Sequence, residues 1–236
     1  MGKGKLSKFA ENLTFGCLVQ PEADAILKED QPLKGKWNSD MFCSLAGGKE
    51  APIVVELGCG KGEYTIDLSQ RRPQYNYIGV DIKGARLWRG AKTATEQALP
   101  NVAFLRTRIE FINHIFAEDE ISEIWVTFCD PQPKNANKRL TSPPFLDRYR
   151  RFLKKGGIVH LKTDSQELHE YTLEVVREQG LELLCATSDL YGQAASQFEG
   201  AAFLQEHPEL FQVQTHYEKM FLEQGKPITY LAFRLV

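Results

Sequence analysis

The stretch of sequence that decides the fold is IVVELGCGKG, residues 53–62. Its first five residues are apolar and mostly β-branched apart from Glu56, which is typical of a buried strand. Glycines then occupy positions 58, 60 and 62, where they allow positive φ angles and a close approach of the backbone to a ligand. A helix-compatible segment, residues 62–71, comes next. A strand, a glycine-rich turn and a helix N-terminus in this order predict a site for a nucleotide-like ligand.

Strands and helices alternate along the rest of the chain. Besides residues 53–57, short runs rich in β-branched and aromatic residues predict strands at residues 75–80, 102–105, 123–128, 157–162, 181–186 and 228–235. Helix-compatible segments such as residues 84–98 lie between them. This alternation predicts an α/β fold with a mostly parallel, seven-stranded sheet and helices on both faces. Ligands bind such a sheet at the carboxyl ends of its strands, where the strand order reverses.

Residues 1–50 differ from the rest of the chain. Pro21, Pro32, Gly35 and the pair Gly47-Gly48 interrupt any long periodic pattern, so we expect irregular structure there. We therefore divide the chain into an N-terminal arm, residues 1–50, and an α/β domain, residues 51–236.

Composition excludes several classes of protein. Of the 236 residues, 42% are hydrophobic and 25% charged, unlike disordered or collagen-like chains. No run of about 18 apolar residues is present and no apolar segment follows the N-terminus, so we expect neither a membrane partner nor secretion. Five scattered cysteines without a C-x-x-C pair indicate a cytoplasmic protein without disulfides or a metal site. The sequence leaves open whether the protein is a monomer or a homodimer.

The glycine-rich turn suggests one cofactor in particular. It lacks the dinucleotide fingerprint G-x-G-x-x-G, because Glu63 occupies the place of the last glycine. An acid two residues before Gly58, and a second acid, Asp81, at the end of the next strand, resemble the first motifs of class I S-adenosylmethionine-dependent methyltransferases. The resemblance implies a Rossmann-like fold and S-adenosylmethionine as cofactor, with Gly58 and Gly60 in the binding turn. Glu56 is then expected near the cationic amino-acid end, and Asp81 on the ribose hydroxyls.

The end of the third predicted strand departs from that pattern. Arg108 stands where such folds often have Asp or Asn to bind the adenine amine. We therefore expect main-chain contacts to adenine from Arg108 and Ile109, with the Glu110 carboxylate as a weaker substitute.

The fourth predicted strand ends at Asp130-Pro131-Gln132-Pro133-Lys134, where two interpretations compete. Amino-methyltransferases that act on adenine carry D/N/S-P-P-aromatic here, and this segment lacks both the second adjacent proline and the aromatic residue. A better match, Ser142 to Phe145, lies well past the strand end, and its prolines predict the start of the next helix.

The other interpretation covers far more of the chain. Residues 130–134 and 137–140 resemble the D-P-W-P-K…K-R-R-L signature of bacterial tRNA (guanine-N7)-methyltransferases, residues 162–164 resemble its K-T-D-N, and residues 215–218 resemble its T-x-Y/F-E. These segments lie in family order, and the resemblance extends over roughly residues 50–235. The chain departs from the family at Gln132 in place of Trp, at Asn135 and Ala136 in place of basic residues, and at Ser165 in place of Asn.

The resemblance implies transfer of a methyl group from S-adenosylmethionine to N7 of guanine 46 in the variable loop of tRNA. It makes Asp130 the catalytic candidate, with its carboxylate beside the cofactor and against the N1–H and N2–H edge of the guanine. The implied substrate-binding residues are Lys134, Asp164, Thr215, His216, Tyr217 and Glu218.

Charge distribution agrees with an RNA substrate, although the net charge is only −2. Between residues 131 and 156, eight basic residues stand against Asp147 alone, and Lys3, Lys5 and Lys8 add a basic N-terminus. We expect this stretch to bind phosphates. Two alternatives stay open: an amino-methyltransferase acting on adenine or a small-molecule amine, and a catalytically silent module that binds S-adenosylmethionine or RNA.

Overall fold

The computed structural model describes residues 3–192 and 200–235. Residues 1–2 and 236, the outer ends of the two predicted units, lie outside the described residues. In this part of the chain no helix is long and apolar enough to cross a membrane.

One mostly parallel sheet organises the molecule. In the described residues it has eight strands in the order β1-β4-β3-β2-β5-β6-β8-β7. All neighbouring pairs are parallel except those of β8, which runs antiparallel to β6 and β7. The strands are β1 (Leu18–Val19), β2 (Ile53–Leu57), β3 (Asn76–Asp81), β4 (Val102–Arg106), β5 (Ile121–Thr127), β6 (Leu153–Thr163), β7 (Glu182–Thr187) and β8 (Thr229–Arg234).

Helices surround the sheet and connect its strands. They are α1 (Lys3–Asn12), α2 (Ala23–Ile26), α3 (Glu63–Arg71), α4 (Gly84–Glu96), α5 (Pro143–Tyr149), α6 (Gln166–Glu178), α7 (Ala201–Glu206), α8 (Glu209–Gln212) and α9 (His216–Glu223). Short 3-10 segments cover Phe42–Ser44, Ile109–His114 and Ala136–Lys138, and a π-helical turn covers Trp37–Met41. Pro143 and Pro144 open α5, which confirms their predicted role as a helix start.

The α/β fold with a mostly parallel sheet is confirmed, but the strand count and the N-terminal region differ from the prediction. The eighth strand, β1, comes from the first 50 residues and pairs Leu18 with Phe104 and Val19 with Leu105. Two residues are too few to produce an alternating pattern, so the sequence does not reveal them. Residues predicted to be irregular also form α1, which ends before the first proline of the segment.

The N-terminal helix packs on α4. Asn12 Nδ2 donates to the carbonyl oxygen of Gly84 over 3.0 Å, and Trp88 Nε1 donates to the Glu11 carboxylate over 2.7 Å. Lys92 pairs with the same carboxylate at 2.9 Å. These contacts fix α1 beside the carboxyl end of β3, where α4 begins.

Packing also fixes the turn between β2 and α3. The buried ring of Phe104 lies where side chains on Gly62, Gly79 and Gly90 would stand, since a Cβ on each would come within 2.5–2.8 Å of that ring. The three glycines belong to the turn, to β3 and to α4. The ring therefore holds these elements together at the carboxyl edge of the sheet.

Strand order reverses between β2 and β5. From β2 the chain adds β3 and then β4 toward one side of the sheet, whereas β5 lies on the other side of β2 and is followed by β6. The carboxyl ends of β2 and β5 therefore form the topological switch point, where α/β sheets bind ligands.

Candidate active site

The glycine-rich turn after β2 has the conformation that its sequence predicts. Gly58, Gly60 and Gly62 have φ angles of 77°, 59° and 74°. The amides of Gly58 and Cys59 both donate to the carbonyl oxygen of Val80, at 2.8 and 3.0 Å, which ties the turn to β3. A Cβ on Gly58 or Gly60 would meet nothing within 4 Å. The turn thus presents bare backbone to open space, as a cofactor cradle requires.

Asp81 lies against this turn. Its carboxylate accepts hydrogen bonds from the amide of Gly60 at 3.0 Å and from the amide of Lys83 at 2.7 Å. The predicted ribose-binding acid and the predicted binding turn are therefore brought together.

Glu56 is buried under the same turn, at the end of β2. One carboxylate oxygen accepts from the amide of Thr65 at 2.9 Å and from the Thr65 hydroxyl, and the other accepts from Thr127 Oγ1 at 2.5 Å. Burial raises the pKa of Glu56 to about 7, although these hydrogen bonds oppose the shift. Among the described residues no cation pairs with it. A buried carboxylate with this pKa fits the cationic end of S-adenosylmethionine, so the residues present fit that cofactor.

A cavity joins the cofactor turn to a distant part of the chain. Its walls include Glu56, the turn and Thr127 on one side, and Thr215, His216 and Tyr217 on the other. The amide of His216 donates to the Glu63 carboxylate at 3.0 Å, which links α9 to the first turn of α3. Glu63, the residue that breaks the dinucleotide fingerprint, thus connects the two walls.

Asp130 is exposed and follows β5 within three residues. Its carboxylate accepts from the amide of Gln132 at 3.0 Å. Phe128 and Gln132, on either side, have φ angles of 47° and 48°, in the left-handed region that non-glycine residues rarely adopt. The structure therefore holds the Asp130 carboxylate in a tight, strained turn beside Phe128, which lines the cavity.

The other predicted substrate residues fall into two groups. Lys134 and Tyr217 are exposed, Tyr217 by 47%, and Asp164 is half-buried just past β6. Thr215 and Glu218 instead serve the fold: Thr215 Oγ1 caps α9 by accepting from the amide of Glu218, and the Glu218 side chain is fully buried. Glu218 does not line the cavity.

The partner of Glu218 is Lys162, a residue that sequence reasoning did not single out. Lys162 Nζ lies 2.7 Å from Glu218 Oε1 and donates to the carbonyl oxygens of Leu210 and Val213, at 2.6 and 3.2 Å. Tyr191 donates to the same Glu218 oxygen at 2.7 Å. The buried ammonium of Lys162 therefore links the end of β6 both to α9 and to the segment that precedes α9.

Thr65, Thr127 and Glu63 are further site residues absent from the prediction. The hydroxyls of Thr65 and Thr127 reach Glu56 only in the folded chain, so they leave no mark in the local sequence around that acid. Lys162 had a usable signal, since it begins the K-T-D segment and is a lysine within the buried carboxyl-terminal half of β6, residues 159–163.

Arg108 and Ile109 lie past the carboxyl end of β4. Arg108 is exposed and approaches Glu110, at 3.9 Å between Nε and Oε2. Arg108 lines a second cavity together with Ile82, the residue after Asp81. Within residues 3–192 and 200–235, no group of three or more His, Cys, Asp or Glu side chains is placed to hold a metal ion.

Comparisons with known proteins identify the family of the chain. A sequence family described as putative methyltransferase matches residues 50–231. The chain is 48% identical to the tRNA (guanine-N(7)-)-methyltransferase of Christiangramia forsetii over 99% of this chain and 98% of that protein. It is 43% identical to the enzyme of the same name from Bacteroides fragilis, over 100% of this chain and 87% of that protein.

A solved structure is similar in fold. The crystal structure of the 16S rRNA methyltransferase KamB superimposes with a TM-score of 0.59 at 16% identity, over 84% of this chain and 94% of that one. At this identity the likeness shows the methyltransferase fold alone.

The raised pKa of Glu56 predicts that cofactor affinity depends on pH. A cationic ligand favours the ionised Glu56 carboxylate. At pH 6 most of the Glu56 carboxyl groups are protonated and must lose that proton on binding, whereas at pH 8 most are already ionised. With the pKa about 7, we expect the dissociation constant for S-adenosylmethionine to fall about tenfold between pH 6 and pH 8. Calorimetric titration across this range measures it.

The control is Glu56→Gln, which keeps the shape of the side chain and removes its titration. The amino group of the ligand titrates identically in both experiments, so the difference between the two profiles isolates Glu56. Parallel profiles for the two proteins would contradict the assignment.

The Lys162–Glu218 pair predicts a pattern of stabilities. Lys162→Met leaves a buried carboxylate unpaired, which costs about 3–5 kcal/mol in the free energy of unfolding. Replacing both residues with Met removes both charges together, so we expect a much smaller loss. Urea unfolding measures both values, and equal losses in the single and double variants would contradict the pairing.

Lys154→Met is the matched control, because Lys154 is an exposed lysine on the same strand. We expect it to change the free energy of unfolding by less than about 0.5 kcal/mol.

Proposed function

The chain belongs to the tRNA (guanine-N(7)-)-methyltransferase family and is an S-adenosylmethionine-dependent enzyme of that family, and on this premise we propose that it methylates N7 of guanine 46 in the variable loop of tRNA. One observation carries the proposal: a single cavity at the switch point is lined by the cofactor turn and by residues 215–217 of the family's C-terminal motif.

We also propose the division into an N-terminal arm, residues 1–50, and a methyltransferase domain, residues 51–236. We further propose a cytoplasmic location, where tRNA is found.

The chemistry demands little proton transfer. N7 of guanine carries an in-plane lone pair, so no proton is removed before attack, and catalysis consists mainly of positioning and electrostatics. S-adenosylmethionine supplies an electrophilic methyl group from a sulfonium. The protein then has to hold the guanine in line and stabilise the positive charge that its ring acquires.

Asp130 is our candidate for that stabilisation. A carboxylate against the N1–H and N2–H edge accepts hydrogen bonds that strengthen as the ring becomes cationic, each worth about 1.5–3 kcal/mol. Support comes from its placement: Asp130 is exposed, follows the cavity-lining residue Phe128 by two positions, and is fixed by the amide of Gln132. The turn therefore fixes the carboxylate before the substrate arrives.

The remaining substrate residues have different tasks in this proposal. Tyr217 is exposed and aromatic, so it is suited to stack on an unpaired base. Lys134 and Asp164 follow β5 and β6 and are suited to contact phosphate and base edges. Thr215 and Glu218 contribute by shaping α9, since their side chains are engaged inside the protein.

The lysines of the predicted basic stretch lie at opposite ends of the strands, two after the carboxyl end of β5 and two near the amino end of β6. Lys134 and Lys138 are exposed in the connection after β5, which Arg139 fastens to the Pro131 carbonyl at 3.0 Å and to Glu167 at the start of α6. Lys154 and Lys155 lie near the start of β6, roughly 23–26 Å along the strand from Lys162. Of the two pairs, the first follows the carboxyl end of a strand, which is the side of the sheet where the cavity lies, so we assign phosphate binding to it.

The proposed function predicts one modified nucleotide. After incubation with S-adenosylmethionine and unmodified tRNA, strand scission specific for 7-methylguanosine should cut once, in the variable loop. Asp130→Asn keeps the acceptor for the Gln132 amide but removes the charge. Because one to two charge-assisted hydrogen bonds are weakened, we expect kcat to fall about ten- to a hundredfold.

Asp147→Asn serves as control, since Asp147 is an exposed carboxylate in α5 that pairs with Arg150. A cut at another guanine would overturn the position, and methyl transfer to an amino group would favour the adenine or small-amine alternative. Full turnover by Asp130→Asn would overturn the role of that carboxylate.

Salt dependence tests the division of the basic stretch. If Lys134 and Lys138 each neutralise a phosphate, replacing both with Ala should reduce the slope of log K for tRNA against log salt by about 1.4–1.8. The matched variant, Lys154→Ala with Lys155→Ala, removes the same charge from the opposite end of the strands. It should leave the slope unchanged, and equal effects of the two variants would overturn the assignment.

A further inference from the structure

The second cavity includes Ile82, the residue after Asp81, and has walls from two parts of the chain. The sheet edge contributes Ile82, Thr107, Arg108 and Phe111, and the N-terminal region contributes residues that include Phe9 of α1 and Leu13 just past its end. Its volume is about 420 Å³, within the range of roughly 300–1,000 Å³ of small-molecule sites.

Helix α1 reaches this cavity through close packing. A Cβ on Gly84 would lie 2.8 Å from the ring of Phe9, so only glycine at the start of α4 allows Phe9 to sit there. The guanidinium of Arg106 lies 5.2 Å from the centre of the same ring. Together with the hydrogen bond from Asn12 to Gly84, these contacts make α1 a fixed wall.

Two exposed apolar side chains face this one cavity. Leu13 is 82% exposed and Ile82 is 52% exposed, and both line it. Large apolar side chains in contact with water favour a ligand with an apolar face, because covering them removes their surface from water.

The position of the second cavity in the fold indicates which ligand it binds. Ile82 follows Asp81, the predicted ribose acid, and Arg108 follows β4, where the adenine is expected. Arg108 offers no carboxylate to the adenine amine, so apolar contact has to supply more of the affinity. We propose that Phe9 and Leu13 form the outer wall of the adenine site, with the adenine of S-adenosylmethionine packed between Ile82 and Leu13.

This assignment gives the N-terminal helix and the residue after it a part in cofactor binding. It rests on the cofactor and on the geometry of the cavity, and it does not depend on which guanine of tRNA is methylated. A binding measurement without tRNA therefore tests it separately from the proposed function.

The experiment compares Leu13→Ala with Leu6→Ala. Leu6 lies on α1 and is 57% exposed, but it does not line the cavity. We expect Leu13→Ala to raise the dissociation constants of S-adenosylmethionine and S-adenosylhomocysteine by the same factor, about three- to tenfold, because the two ligands share adenosine. Leu6→Ala should leave both constants unchanged. Isothermal titration calorimetry on the full chain measures them.

A second measurement follows the N-terminal wall itself. Addition of S-adenosylhomocysteine should slow hydrogen exchange in residues 9–13 of the wild-type protein. Unchanged affinity of Leu13→Ala together with unchanged exchange would overturn the proposal. Unchanged cofactor affinity with a raised KM for tRNA would also overturn it, and would identify the cavity as an RNA contact.

Discussion

The ring of Phe104 occupies a slot that exists because Gly62, Gly79 and Gly90 carry no side chains. The constraint reaches further than local packing. The cofactor turn, the strand that ends in Asp81 and the helix that supports α1 all approach one another around this ring. A methyl group on any of these glycines would push one of the three elements away. The carboxyl edge of the sheet, where we propose that the chemistry takes place, therefore depends on an aromatic residue that is fully buried.

Two tethers then close the site across long distances in sequence. Glu63 accepts from the amide of His216, and Lys162 pairs with Glu218 in the interior. Both act on α9, one at its first residue and one two residues further along. The first tether joins α9 to the cofactor turn and the second to the end of β6, so Tyr217 is held beside the cavity by its neighbours. The family's C-terminal motif thus combines residues that shape α9 with residues that line the cavity.

Electrostatics divides the work among the acids. Glu56 is buried, and burial raises its pKa to about 7. A cationic ligand would favour the ionised form of this carboxyl group. Asp81 is held by two backbone amides, one of them from Gly60 of the cofactor turn. Asp130 is exposed in a turn with positive φ angles at Phe128 and Gln132, and the amide of Gln132 fixes its carboxylate. Three carboxylates near three strand ends therefore lie in three different environments, as the three roles that we propose for them require.

The sequence by itself determined the α/β fold, the cofactor turn, Glu56, Asp81 and the order of the family motifs, because these features depend on neighbours along the chain: β-branched runs, glycines at fixed intervals, and acids at strand ends. Only the tertiary structure decided that Thr65 and Thr127 bind Glu56, that Glu218 pairs with Lys162, that Lys154 and Lys155 lie near the amino end of β6, and that Leu13 and Ile82 line one cavity. It also added β1, which is too short to leave a pattern. Most of these contacts join residues far apart in sequence, and strand order and direction bring them together, which spacing along one chain does not encode.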